Sequence, residues 1–116
     1  MFVADDHPGV RSALESLIRT ATDLELLGSA CNGEEAVRLT ALLCPQVVVM
    51  DLVMPGVDGV EATRRMRCRR WPPAVVALSG SHELMRDAVA AGASFTLLKD
   101  VHPGHLLEMI RAAAGG

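Results

Sequence analysis

The amino-acid sequence predicts an α/β domain of the (βα)5 class, in which five strands of a doubly wound parallel sheet alternate with five helices. Short apolar runs recur along the chain, and their starts lie about 20 to 28 residues apart. The segments between these runs repeat apolar residues at helical spacing. Because the runs are apolar on both strand faces, they belong in a parallel sheet with helices on each side. The 116 residues are enough for one such domain.

Five strands are predicted from the apolar runs themselves. These runs are Phe2-Val3-Ala4, Leu24 to Leu27, Val47 to Met50, Ala74 to Leu78 and Phe95 to Leu98. The first strand is short, since only four residues precede Asp5. We therefore expect that the sequence has lost residues at its N-terminus or has been assigned a late start.

Each helix is predicted from a start signal and an apolar face. Proline suits the first turn of a helix, and Asn, Asp and Ser side chains cap the turn's free N–H groups. The start signals are Pro8, Asn32, Ser81, Pro103, and Asp58 with Glu61 three residues later, which resembles a capping box. The clearest apolar faces are Val10, Leu14, Leu17 and Ile18 in the first helix and Leu106, Met109, Ile110 and Ala113 in the last.

Composition and charge exclude several functional classes. Half of the residues are apolar, 22% are charged and the net charge is −3, which is typical of a globular domain that does not bind nucleic acid over its whole surface. No apolar stretch approaches the roughly 18 residues of a membrane span, and no signal peptide is evident. Cys31, Cys44 and Cys68 are too irregularly spaced for a disulfide framework or a zinc site. We therefore expect a cytoplasmic domain with reduced thiols.

Polar residues follow four of the predicted strands. Asp5 and Asp6 follow the first strand, Asp51 the third, Ser79 the fourth and Lys99 the fifth. The carboxyl ends of parallel strands meet at one edge of the sheet, where ligands bind. Carboxylates gathered there repel one another unless a cation joins them, and oxygen ligands alone favour Mg²⁺. Carboxylates, a divalent metal, a hydroxyl and an ammonium together can accept and hold a phosphoryl group.

Three motifs extend this interpretation. The run Val-Val-Val-Met-Asp-Leu-Val-Met-Pro-Gly-Val-Asp-Gly at 47–59, with Ala-Asp-Asp-His at 4–7 and Leu-Leu-Lys-Asp at 97–100, resembles the receiver domain of two-component response regulators. The two shorter motifs are most similar to the LuxR/NarL-type subgroup. The resemblance covers essentially the whole chain. It implies one receiver domain over residues 1–116, with the flavodoxin-like strand order 2-1-3-4-5.

The resemblance also implies a role for each polar residue. Asp51 accepts a phosphoryl group, Ser79 binds a phosphoryl oxygen after transfer, and Lys99 pairs with the Asp51 carboxylate or its phosphate. The implied ligands of Mg²⁺ are Asp5, Asp6, Asp51 and the backbone carbonyl of Val53.

The partners follow from the same resemblance. The phosphoryl donor is a sensor histidine kinase, and phosphorylation is expected to favour a homodimer. DNA is a partner only through a C-terminal helix-turn-helix effector domain that is absent from this sequence. The domain is expected to be a signalling module and not a turnover enzyme, with at most self-phosphotransfer and self-dephosphorylation.

Two positions depart from the usual receiver pattern. The position three residues before the strand-five lysine is commonly an aromatic or His that acts as a rotameric switch, but here it is Thr96. Phe95 lies one residue earlier and therefore on the opposite face of the strand. Lys99 is followed by Asp100 instead of proline, which matches the LuxR/NarL-type subgroup.

The main alternative is a small aspartyl-phosphate phosphatase or phosphotransferase of the haloacid-dehalogenase-like type. Such enzymes place a second Asp two residues after the nucleophile as general acid, and Val53 occupies that position. A pseudo-receiver that is never phosphorylated is a third possibility, but no acidic residue of the expected set is missing.

The remaining signals have ordinary structural interpretations. The arginines between 64 and 70 fall in the last turns of a predicted helix, where cations oppose the negative end of the dipole. His102 and His105 lack supporting metal ligands and are interpreted as polar residues at a helix start. Gly56, Gly59 and Gly92 are interpreted as turn or cap positions.

Overall fold

The computed structural model describes residues 1–115, along which five strands and five helices alternate as the sequence predicts. In chain order these are β1 (Phe2–Ala4), α1 (Pro8–Thr20), β2 (Gly28–Ala30), α2 (Gly33–Leu43), β3 (Val47–Asp51), α3 (Gly59–Arg67), β4 (Ala74–Ser79), α4 (His82–Ala91), β5 (Phe95–Leu98) and α5 (Pro103–Gly115).

All five strands are parallel and lie in one sheet with the order β2-β1-β3-β4-β5. This confirms the predicted doubly wound topology. The chain adds β2 on one side of β1 and then returns to add β3, β4 and β5 on the other side. The strand order therefore reverses between β1 and β3, the point where such sheets bind ligands.

Helices cover both faces of the sheet. α1 and α5 pack on one face through apolar residues such as Ile18, Leu106 and Ile110. α2, α3 and α4 pack on the other face through residues such as Ala36 and Met66. The central strand β3 is buried along its whole length because it has a neighbouring strand on each side and helices on both faces.

The predicted helix starts are confirmed. Pro8 and Pro103 are the first residues of α1 and α5. The side chains of Asn32, Asp58 and Ser81 accept the N–H groups of Glu35, Glu61 and Leu84 at 2.8, 2.9 and 3.3 Å. The capping box predicted for α3 is only half formed, because the Glu61 carboxylate pairs with Arg64 and Arg65 instead of reaching back to Asp58.

The prediction of a second strand at Leu24 to Leu27 is wrong, because the strand lies at Gly28–Ala30. Residues 24–27 belong instead to the connection between α1 and β2. Leu24 and Leu26 are partly buried against the core shared by α1 and α5. Their apolar character therefore reflects packing beneath the helices and not a place in the sheet.

The fifth strand is less buried than its apolar run predicts. β5 is the edge strand of the sheet, pairs only with β4, and is partly buried from Phe95 to Leu97 and exposed at Leu98. One open edge leaves its side chains less covered than those of β3.

Among residues 1–115, no helix has the length and apolar character that crossing a bilayer requires.

Candidate functional site

The register of the sheet brings the predicted carboxylates together at its reversal point. Ala4 of β1 is the parallel partner of Met50 of β3, so Asp5 and Asp51 follow on neighbouring strands at the same level. Asp5 is 2% exposed and Asp51 is 1% exposed. Two buried carboxylates on adjacent strand ends repel each other. The ammonium group of Lys99, which lies beside Asp51, offsets part of this repulsion.

The Asp51 carboxylate has two different oxygens. Oδ1 lies 3.0 Å from Nζ of Lys99 and also accepts the Val53 N–H at 3.1 Å. Oδ2 is buried and has no hydrogen-bond partner among the residues that the structure describes. A buried carboxylate oxygen without a donor is costly, unless a cation or a ligand meets it.

The acidic pair after β1 shows the same contrast. Oδ1 of Asp5 accepts the N–H of His7 at 2.9 Å, whereas Oδ1 of Asp6 is buried without a partner within the described chain. One ligand atom each from Asp5, Asp6 and His7 lies within 4.8 Å of the others. The imidazole of His7 is mostly exposed and lies at the rim of this cluster.

The environment of Asp5 raises the pKa of its carboxyl group above the ordinary value of 3.8. Burial is the main cause, and the charges of Asp51 and Asp6 add to it. The hydrogen bond from His7 and the charge of Lys99 act in the opposite direction without cancelling the rise. The charges of the neighbouring carboxylates therefore contribute to the raised pKa of Asp5, and a bound cation would offset their repulsion.

Lys99 reaches the site from the end of β5. Its backbone N–H donates to the Ser79 carbonyl at 3.1 Å, which continues the pairing of β5 with β4. Its side chain is 43% exposed, so the ammonium bridges solvent and a buried carboxylate.

Ser79 is fully buried at the end of β4, but its hydroxyl is engaged locally. It accepts the Ser81 N–H at 2.9 Å and donates to the Ser81 carbonyl at 3.3 Å. Ser81 in turn caps α4. The hydroxyl predicted to contact a phosphoryl group is thus tied to the start of the next helix in this state.

Gly59 is needed at the site for a reason that the sequence does not show. A Cβ atom at Gly59 would lie 2.2 Å from the carbonyl oxygen of Asp51, so only glycine lets α3 begin this close to β3. Gly56 and Gly92 have positive φ angles of 74° and 109°, which fits their interpretation as turn and cap residues.

His102 and His105 lie at the start of α5, as the sequence predicts. Nδ1 of His102 accepts the Gly104 N–H at 3.0 Å at the start of α5. Nδ1 of His105 lies 3.7 Å from a carboxylate oxygen of Glu108, one turn along the same helix. Within residues 1–115, the only group of three potential metal ligands is the one at Asp5, Asp6 and His7.

The residues present at the site fit a hard divalent cation. The two buried oxygens that lack partners, on Asp6 and Asp51, belong to carboxylates that the sequence predicts as ligands. The buried donors are oxygens only, which is the ligand type that Mg²⁺ prefers.

The chain matches a known protein family over almost its whole length. The family model described as "Response regulator receiver domain" matches residues 1–111. The chain is 36% identical to the transcriptional regulatory protein LiaR of Bacillus subtilis over 118 aligned residues, which cover 100% of the chain and 56% of LiaR. It is equally similar, at 36% identity, to the nitrate/nitrite response regulator protein NarL of Escherichia coli K12, covering 100% of the chain and 55% of NarL.

Solved structures share the fold over its full extent. The signal receiver domain of the putative response regulator NarL from Mycobacterium tuberculosis superimposes with a TM-score of 0.94 at 27% identity, covering 99% of this chain and 94% of that one. The chain spans about half the length of the curated relatives it matches. Its sequence, its sheet order and these relatives agree, and the chain therefore belongs to the receiver domains of response regulators in two-component systems, with relatives of the LuxR/NarL type.

Proposed function

We propose that this receiver domain accepts a phosphoryl group on Asp51 from a phosphohistidine of a sensor histidine kinase. The observation that supports this is the environment of the Asp51 carboxylate. One oxygen is neutralised by Lys99 at 3.0 Å, and the other is buried and lacks a partner. A carboxylate next to a fixed cation can act as a nucleophile toward phosphorus, because the cation offsets the charge of the incoming group.

In the transfer, a carboxylate oxygen of Asp51 attacks the phosphorus in line with the phosphorus–nitrogen bond of the donor. An oxygen–phosphorus bond forms while the phosphorus–nitrogen bond breaks. The electron pair of the broken bond stays with the imidazole nitrogen, which takes up a proton from solvent. Lys99 shifts its ammonium toward the new phosphoryl oxygens, since these carry more negative charge than the carboxyl oxygens of the acyl phosphate.

We assign the cation site to Asp5, Asp6, Asp51 and the Val53 backbone carbonyl, with Mg²⁺ as the cofactor. When bound, Mg²⁺ neutralises charge on phosphoryl oxygens during transfer. Asp6 offers an oxygen without a partner, whereas Oδ1 of Asp5 is already bonded to His7. We therefore assign direct ligation to Asp6 and contact through water to Asp5.

Ser79 is assigned to the phosphorylated state. Its hydroxyl is buried at the end of β4, beside the strand that carries Asp51. Donation to a phosphoryl oxygen requires the hydroxyl to leave its bonds with Ser81. Phosphorylation is thereby coupled to the start of α4.

The whole protein is proposed to be longer than residues 1–116. LiaR and NarL are named as a transcriptional regulator and a response regulator, and each is nearly twice as long as the matched region. We propose that a C-terminal helix-turn-helix domain follows and binds DNA, that phosphorylation controls it through a homodimer, and that the protein acts in the cytoplasm.

We further propose that the domain does not turn over phosphoesters. A phosphatase of the haloacid-dehalogenase-like type needs a general acid two residues after its nucleophile. Val53 occupies that position with an exposed apolar side chain, so departure of an alkoxide has no proton donor there.

The test is incubation of the domain with Mg²⁺ and a small phosphodonor such as acetyl phosphate, followed by intact mass spectrometry. One phosphoryl group should be added to the wild type and none to Asp51→Asn. Asp58→Asn is the matched control, because Asp58 is exposed in the same loop and Asn preserves its capping role. Full labelling of Asp51→Asn contradicts the proposal, and sustained hydrolysis of a phosphoester by the wild type supports the phosphatase instead.

A further inference from the structure

Arg11 lies in the first turn and a half of α1 and contacts the backbone of the acidic pair. Its Nη1 donates to the carbonyl oxygen of Asp5 at 2.9 Å. Its backbone N–H donates to the carbonyl of His7, also at 2.9 Å. Together with the bond from the His7 N–H to Asp5 Oδ1, these contacts close a compact arch between β1 and α1.

The carbonyl that Arg11 binds belongs to the peptide unit between Asp5 and Asp6. A peptide unit is planar, so holding its carbonyl also fixes the direction in which the Cα of Asp6 leaves the strand. The sheet does not provide this restraint, because the last bond between β1 and β2 uses the Asp5 N–H. The side chain of Arg11 supplies it instead.

Asp6 depends on that restraint more than its neighbour does. Oδ1 of Asp6 is buried and has no hydrogen-bond partner among the described residues, and Nδ1 of His7 lies 3.6 Å away, beyond hydrogen-bond distance. The carboxylate of Asp5, in contrast, is held by His7. The direction of the Asp6 side chain is therefore set mainly by its backbone.

We propose that Arg11 is a positioning residue that orients Asp6 toward the divalent cation by holding the Asp5–Asp6 peptide unit. The inference rests on the proposed Mg²⁺ site and adds a residue that acts on the metal through the backbone. The bond is charge-assisted and hence stronger than a neutral one. The positive charge of Arg11 by itself disfavours a second cation nearby, so weaker Mg²⁺ binding on its removal reports lost orientation of Asp6 and not lost charge.

The experiment compares Arg11→Met, Arg11→Lys and Arg19→Met in the domain. Arg19 is the matched control, because it lies on the same helix, is exposed, and only approaches Glu15 at 3.9 Å. Calorimetric titration should show that Arg11→Met raises the Kd for Mg²⁺ about 10-fold, as loss of an orienting outer contact does. Arg11→Lys, which keeps a charged donor, should stay within about threefold of wild type. Arg19→Met should leave the Kd unchanged.

A second measurement needs no metal. Hydrogen exchange of the His7 amide, which donates to Asp5, should be faster in Arg11→Met than in wild type or Arg19→Met. Normal Mg²⁺ affinity and normal His7 exchange in Arg11→Met overturn the inference while the proposed function stands. If Arg11→Met does not fold, Arg11→Gln takes its place, and equal affinities for the Gln and Lys variants overturn the charged-donor role. A wild-type domain that binds no Mg²⁺ overturns both the inference and the proposed metal site.

Discussion

The ammonium nitrogen of Lys99 lies 3.0 Å from Oδ1 of Asp51, and this contact joins the edge strand β5 to the central strand β3. The same oxygen accepts the Val53 N–H, so the cation neutralises one side of the carboxylate and leaves Oδ2 to other partners. Lys99 is the only lysine in a chain with ten arginines. A compact ammonium fits beside a shared oxygen, whereas a planar guanidinium is larger and favours two parallel contacts.

Replacing Lys99 should therefore slow phosphorylation. Lys99→Ala removes the charge that stabilises the incoming phosphoryl oxygens, and we expect an initial rate about 100-fold lower. Lys99→Arg restores the charge but not its geometry, so its rate should remain well below wild type. The rates are measured by quenched intact mass spectrometry with saturating Mg²⁺ and acetyl phosphate. Arg86→Ala, on the exposed face of α4, is the control, and a Lys99→Arg rate equal to wild type argues against a need for an ammonium.

Removing either acidic residue of the pair should weaken Mg²⁺ binding to different extents. Asp6→Ala should raise the Kd more than Asp5→Ala, because Asp6 has the free oxygen and Asp5 is assigned contact through water. In both variants binding should be weak without a phosphoryl mimic, since Mg²⁺ retains most of its waters. Calorimetry is the appropriate measurement, because Trp71 is 82% exposed before β4, at the other end of the sheet, and should report little. Equal and negligible changes in the two variants contradict both assignments.

The raised pKa of Asp5 predicts a pH dependence of folding stability. Burial chiefly causes the rise, so the folded chain holds this proton more tightly than the unfolded chain does. The contribution of Asp5 to the free energy of unfolding is therefore greatest below the ordinary value of 3.8 and is lost as pH rises through the raised pKa. At neutral pH, ionised Asp5 destabilises the metal-free fold.

Asp5→Asn should accordingly increase the free energy of unfolding at neutral pH and should lose this advantage as the pH falls. Asn still accepts the His7 N–H, so the arch remains intact. Urea unfolding in EDTA at a series of pH values measures the difference between variant and wild type. Asp58→Asn gives the baseline for an exposed carboxylate, and a lower urea midpoint for Asp5→Asn at neutral pH runs against the expected sign.

The arginines between 64 and 70 should not bind DNA in this domain. Four of the five already have partners, which are the Glu61 carboxylate, the Pro73 carbonyl, and the Thr40 hydroxyl with the Val37 carbonyl. Arg70 lies over the Trp71 ring, 5.7 Å from its centroid. Fluorescence anisotropy with a labelled duplex should show no salt-sensitive binding by residues 1–116, whereas the full protein should bind. Tight, salt-dependent binding by the domain alone contradicts this division.

The sequence predicts the site better than it predicts the contacts that support it. Asp51 and Lys99 follow apolar runs, so the pattern of predicted strands alone places both residues at the carboxyl end of the sheet. Gly59 matters because α3 begins close to the Asp51 carbonyl, and Arg11 because its side chain binds the Asp5 carbonyl. Neither a positive φ angle nor a local sequence motif reveals these contacts. The apolar pattern wrongly predicts a strand at Leu24 to Leu27, because apolar residues packed beneath helices and apolar residues in strands share the same local pattern.

The last prediction concerns the switch, which depends on Ser79 and Thr96. Thr96 pairs with Ala77, and that partner belongs to the core that α4 covers, so Thr96 faces α4. Ser79 is bonded to Ser81, and the proposed contact of its hydroxyl with a phosphoryl oxygen should shift the loop before α4 and vacate space. A threonine fills less of that space than an aromatic ring, and a ligand shifts an equilibrium only by its differential interaction with the two states.

We therefore expect a small rearrangement of α4 and β5, together with weak self-association of the phosphorylated domain. Amide hydrogen exchange and sedimentation, each with and without a phosphoryl mimic and Mg²⁺, measure the two effects. Thr96→Tyr is the matched variant, and its ring should enlarge the exchange difference in residues 81–98, because it gains packing in only one of the two states. A large exchange difference or tight dimers in the wild type show that the size of residue 96 does not limit the switch, whereas a small wild-type response that grows in Thr96→Tyr assigns the limit to this side chain.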